Sequence, residues 1–114
     1  MSGLVHLDQT VAQELRNIMG EDFPLLVQTF VRDSTQRIES FREAMKMRDA
    51  DALCRAAHSF KGSAGNMGAV HLADLCRSLE ALGRTNDLQG VPTLIDEILN
   101  EYGTVERALM TMLR

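Results

Sequence analysis

Apolar residues recur three and four positions apart along nearly the whole chain, and only two prolines interrupt that rhythm. A period near 3.6 residues puts one apolar stripe on each of several helices, and no such stripe can be buried by its own helix. Seven methionines, with many leucines and alanines and few aromatics, favour helix over strand. Long helices joined by short connections must lie antiparallel to their neighbours. The expected fold is therefore all-α: an up-and-down four-helix bundle with a short additional N-terminal helix. With 114 residues and no internal repeat, low-complexity stretch or linker, the expectation is one domain over 1–114.

The punctuation divides the chain into five helical segments. The first is expected over 9–19, with Asp8 as N-cap, Val11, Leu15 and Ile18 on the inward face, and Gly20 closing it. The second should run over 22–47, starting at Asp22 with Pro24 in its tolerant first turn. Phe23, Phe30 and Phe41 fall on one line of this helix, flanked by Leu26, Val27, Ile38 and Met45. Ser34 and Arg37 lie on or beside that apolar line, and the sequence offers no reason for them. Asp49 should cap a third helix over 50–67, and Gly68-Ala69 leads into a fourth over 70–83. Leu72, Leu75, Cys76, Leu79 and Leu82 should face inward there, with Gly83 as the stop. The last helix follows Asn86-Asp87, frayed at its start by Gly90 and Pro92, and carries Leu94, Ile95, Ile98, Tyr102, Val105 and Leu109 inward.

Charge narrows the function classes. The net charge is -4 and the cations are dispersed, which argues against nucleic-acid binding. No apolar run approaches the roughly 20 residues of a membrane span, so no membrane association is expected. The opening MSGLVHLDQT has neither the basic nor the apolar region of a signal peptide. Cys54 and Cys76 are far apart, and read as buried or semi-buried thiols of a reducing cytoplasm. No metal site is expected: His71 and Asp74 are three apart but lack a second half-site, Asp74 points to solvent, and His71 belongs at the core boundary. His6 is expected in a mobile tail.

The third helix departs from ordinary bundle grammar. With Phe60 at the centre of the inward stripe, Leu53, Ala56, Ala57, Ala64 and Met67 lie within about 60° of it at about 100° per residue. His58 then stands about 160° away, at the solvent pole, together with Asp51, Arg55, Gly62 and Gly65. Lys61 follows His58 by about one turn. Two glycines inside a helix cost about 2 kcal/mol together against alanine. Close helix packing, the usual reason for a helix glycine, does not apply on an outward face. Gly62 instead strips bulk from the approach to the His58 ring, so that something large can reach it. An exposed imidazole, much of it neutral near pH 7, is a nucleophile, and Lys61 is a point charge suited to phosphoryl oxygens.

The run His58-Ser-Phe-Lys61-Gly62-Ser-Ala-Gly-Asn-Met-Gly68 closely resembles the HxxKGxxxxxG signature of histidine phosphotransfer (HPt) domains of two-component phosphorelays. Arg55-Ala-Ala before it, and Gly68-Ala69 and Leu75-Cys-Arg-Ser-Leu-Glu80 after it, resemble that family too. The likeness implies that His58 is phosphorylated and that Lys61 lies beside the phosphoryl group. It implies that Gly62 gives a partner access and that Gly68 ends the helix or turns the chain. Asp51, Arg55, Gly62 and Gly65 are the expected partner-binding positions. Phe60 stands where family members often have leucine. The implied chemistry is reversible in-line transfer from a receiver aspartyl-phosphate to a His58 ring nitrogen, Nε2, and on to a second receiver aspartate. The partners implied are the receiver domains of a hybrid sensor histidine kinase and of a response regulator. Mg2+ would come with the receiver, since the chain shows no carboxylate cluster suited to it. On this reading the chain is a monomeric phosphoryl carrier rather than an enzyme, with no ATP-binding kinase domain.

Two other readings compete. A histidine-kinase dimerisation domain usually places an acidic residue after the histidine and a proline soon after; here Ser59 follows, with no proline nearby. A non-catalytic helical adaptor explains everything except His58, Lys61 and Gly62 together, and phosphorylation of His58 separates the two.

Overall fold

The computed structural model describes residues 4–114 and is helical throughout, with no strand among the described residues. Helix α1 spans Gln9–Met19, and a 3-10 turn at Gly20–Asp22 leads into α2, Phe23–Lys46. Three more helices follow: α3 at Ala50–Asn66, α4 at Val70–Arg84 and α5 at Val91–Thr111. Helix α3 packs on α2 and α4, and α5 closes the ring by touching α4 and α2. The four long helices thus form a bundle around one core, with α1 laid against the start of α2. None of the described helices is long and apolar enough to cross a membrane.

Local chemistry sets the helix ends. The Asp8 carboxylate accepts from the backbone N–H groups of Thr10 and Val11, and that of Asp49 accepts from Ala52 at 2.9 Å. Each satisfies donors that a first helical turn leaves free. Pro24 and Pro92 sit in first turns, where a missing N–H is harmless. Helix α5 accordingly starts cleanly at Val91 rather than fraying. Gly68 ends the connection from α3 with φ +83, and the Asp8 backbone N–H donates to its carbonyl at 2.8 Å. That bond ties the start of α1 to the end of α3.

The core follows the expected stripes, with three corrections. Phe23, Phe41, Phe60, Leu53, Leu72, Leu79, Ile98 and Leu109 are fully buried, and the Phe41 and Phe60 rings join α2 to α3 at 6.1 Å. In α1, Ile18 is 79% exposed instead of inward. The helix is rolled so that Ala12, Leu15 and Met19 face the bundle, a line on which Ile18 does not lie.

Gly83 is not a helix stop. It is buried inside α4, where an added Cβ would stand 2.9 Å from the Ala50 carbonyl oxygen and 2.9 Å from the Cys54 nitrogen. Its absent side chain lets α3 and α4 approach backbone to backbone, and Asn86, at φ 58, takes the left-handed position instead.

Nor is His6 in a free tail. Its Nδ1 lies 2.8 and 2.7 Å from the two carboxylate oxygens of buried Glu101 on α5. The backbone N–H of half-buried His71 donates to the Val5 carbonyl at 3.2 Å. Residues 5–8 therefore strap from the start of α4 to the middle of α5.

Candidate functional site

Helix α3 carries Leu53, Ala57, Phe60 and Ala64 into the core, and this rotation sets what faces outward. His58 emerges with its side chain 68% exposed. Asp51 and Arg55 lie on the same face, both exposed and ion-paired with each other. Gly62 and Gly65 are open to solvent: a Cβ built on either meets nothing within 4 Å. Neither glycine is there for helix packing, in contrast to Gly83.

Across from His58, on α4, lies a glutamate to which the sequence had assigned no role. Glu80 is only 5% exposed, yet three side chains converge on its carboxylate. His58 Nδ1 is 2.8 Å from Oε2, Lys61 Nζ donates to Oε1 at 2.7 Å, and Arg84 donates to Oε2 at 3.0 Å. The hydrogen bond from Lys61, then that from His58, hold the Glu80 carboxyl below its ordinary value of 4.5, against the opposing effect of burial. An ionised carboxylate only accepts, so Nδ1 of His58 is the protonated nitrogen. Nε2 of the neutral ring is left with its lone pair, on the exposed side of the imidazole.

Lys61 is not a free cation in this geometry. Its side chain is 28% exposed and its ammonium is engaged by Glu80. A signal for Glu80 was present in the sequence. It follows Leu79 and stands four residues after Cys76 on a buried stripe, and a buried carboxylate requires partners. Cys76 lies on the same stripe with its thiol pushed up to about 12 by burial, which makes it a core group and not a nucleophile. Among the described residues, no group of three or more His, Cys, Asp or Glu side chains is placed to hold a metal ion.

The site is thus an exposed histidine on α3 oriented by a buried carboxylate on α4, on the face that carries two open glycines. The Hpt domain model matches residues 25–108. The chain belongs to the Hpt domain family. Among solved structures, this Hpt domain is similar to histidine-containing phosphotransfer protein B from Pseudomonas aeruginosa PAO1. That likeness has 41% identity and a TM-score of 0.91 over 94% of this chain and 93% of the other. Comparison with curated proteins gave no match. The match by family model runs from α2 into α5, and thus includes His58, Lys61, Glu80 and Arg84.

Proposed function

We propose that this Hpt domain carries a phosphoryl group on Nε2 of His58 within a histidine–aspartate phosphorelay. The observation that carries the reading is the pairing of an exposed imidazole with a buried carboxylate at its Nδ1. In the forward step, the Nε2 lone pair attacks the phosphorus of a receiver aspartyl-phosphate. The new P–N bond forms as the P–O bond to the aspartate breaks, and the aspartate leaves as a carboxylate. No proton need move: neutral His58 becomes a phospho-imidazolium, and its positive charge faces the Glu80 carboxylate. The reverse step returns the phosphoryl group to a receiver aspartate.

Lys61 and Arg84 neutralise Glu80 before transfer, and because both meet the carboxylate that His58 touches, they are placed to share charge with the incoming phosphoryl oxygens. Positioning and charge stabilisation supply most of the catalysis in such transfers. Mg2+ comes with the receiver's acidic site. The donor is the receiver of a hybrid sensor kinase, the acceptor that of a response regulator. The bare face of Gly62 and Gly65, with Asp51 and Arg55, forms the landing surface. The protein acts as a monomer in the cytoplasm, and ATP is used elsewhere in the relay.

Incubating the protein with a panel of phosphorylated receiver domains tests this. The expected result is an acid-labile phosphoryl group on wild type and none on His58→Gln, which keeps the helical fold. Label at His6 or His71 in that variant overturns the assignment to His58, and no label on wild type from any receiver overturns the reading and leaves the adaptor alternative.

A further inference from the structure

A groove of about 550 Å³ runs between the C-terminal half of α2 and the N-terminal half of α3. Ala44, Ala52 and Ala56 line it, Met47 stands at its end 73% exposed, and Ser59 and Arg55 form the side nearest His58. Most of its charges are already satisfied. Asp49 caps α3, Arg55 pairs with Asp51, and Glu43 approaches Lys46.

Arg37 is the exception. Among the described residues no carboxylate lies within ion-pair distance of its guanidinium, and its Nε is buried without a hydrogen-bond partner. The buried Nε is closed to a partner, but the rest of this half-buried side chain lines the groove as a cation without an ion pair, and an unpaired guanidinium suits a carboxylate. The groove is continuous with the proposed transfer site, since Ser59 follows His58 directly and Arg55 precedes it by one turn. A domain seated over His58 covers this end of the groove.

We propose that Arg37 is a specificity-determining contact that takes a carboxylate from the docked receiver domain, with the alanine floor receiving the apolar flank of the same segment. This rests on the reading of His58 as phosphoacceptor. Arg37 belongs to partner choice rather than to the chemistry, so its loss should weaken docking and leave the reactivity of His58 unchanged.

The test compares wild type, Arg37→Ala and Arg37→Glu, with Arg48→Glu as a control for net charge. Arg48 is an exposed arginine outside the groove. Phosphoramidate first loads His58 in each, its P–N bond breaking as the new one forms and ammonia leaving. Transfer to the isolated receiver domain that takes label fastest from wild type is then followed. Arg37→Glu should raise KM about tenfold or more with kcat held within about twofold. Arg37→Ala should show a smaller rise in KM, and Arg48→Glu and all four loading rates should stay near wild type. A receiver aspartate or glutamate changed to lysine should restore Arg37→Glu. Wild-type KM in a normally loaded Arg37→Glu overturns the proposal, as does an equal effect of Arg48→Glu. So does sedimentation showing that the substitution only dissociates a wild-type dimer, which assigns the groove to a second copy. Failure of wild type to load or to transfer instead removes the phosphoacceptor reading itself, and this inference with it.

Discussion

The Nδ1 of exposed His58 on α3 lies 2.8 Å from Oε2 of buried Glu80 on α4, twenty-two positions along the chain. One partner faces solvent and the other the protein interior, so the contact orients the ring without covering its second nitrogen. Glu80→Gln keeps the size of the side chain but removes its charge. Phosphoryl uptake by His58 should slow about tenfold or more, in line with the strength of a hydrogen bond to a charged group. The 15N spectrum of neutral His58 should show the proton on Nδ1 in wild type and a mixture of tautomers in the variant. A single unchanged tautomer in the variant would remove Glu80 from the mechanism.

The same carboxylate makes stability depend on pH. Its folded value lies below 4.5, so it binds a proton less readily in the native state than in the unfolded chain. The contribution is fully present above the unfolded value and disappears as pH falls through the lower folded one. Denaturant titrations from about pH 6 downward should therefore show stability falling more steeply in wild type than in Glu80→Gln, by at most about one proton's worth of slope. Parallel profiles would contradict the shift.

Because Lys61 is partly buried against Glu80, its removal should affect fold as well as rate. Lys61→Ala should lose about 1 kcal/mol, lowering Tm by about 4 °C, and should also slow phosphoryl exchange. Unaltered Tm together with unaltered exchange would reduce the lysine to a solvated charge.

Gly62 and Gly83 should respond in opposite directions to an added side chain. Gly62→Gln enters open space and should stabilise α3 by several tenths of a kcal/mol up to about 1, while obstructing a receiver at His58 and slowing transfer. Gly83→Ala forces a methyl group to 2.9 Å from the α3 backbone and should destabilise by about 1–3 kcal/mol. Thermal melts of the two variants, with transfer rates for the first, decide both. A destabilised Gly62→Gln would place that glycine in a packed interface.

His6→Ala removes the partner of buried Glu101 and should lower stability by about 1–3 kcal/mol. Hydrogen exchange should rise at the backbone N–H groups of Asp8 and His71, whose bonds to the Gly68 and Val5 carbonyls tie residues 5–8 to the α3–α4 connection and to α4. Wild-type protection at both amides would mean that the ion pair holds nothing in place.

Much of the architecture is local information, and the sequence alone contains it. Caps at Asp8 and Asp49, the first-turn prolines and the apolar stripes depend on neighbours within about one helical turn, which is why the helix ends and the face of α3 bearing His58 were legible. The signature from His58 to Gly68 is equally local, and so led to the right family. What tertiary structure decided involves contacts between helices. The Glu80 carboxylate meets His58 and Lys61 only after α4 folds back on α3, and charge on one helix does not say which residue it will face on the next. Gly83 looked like a stop because a glycine's role as a stop or as a close-packing point depends on the distance to another backbone. His6 looked free because its partner lies ninety-five positions away. Helical periodicity determines which side of each helix is buried; only the packed bundle determines which buried group touches which.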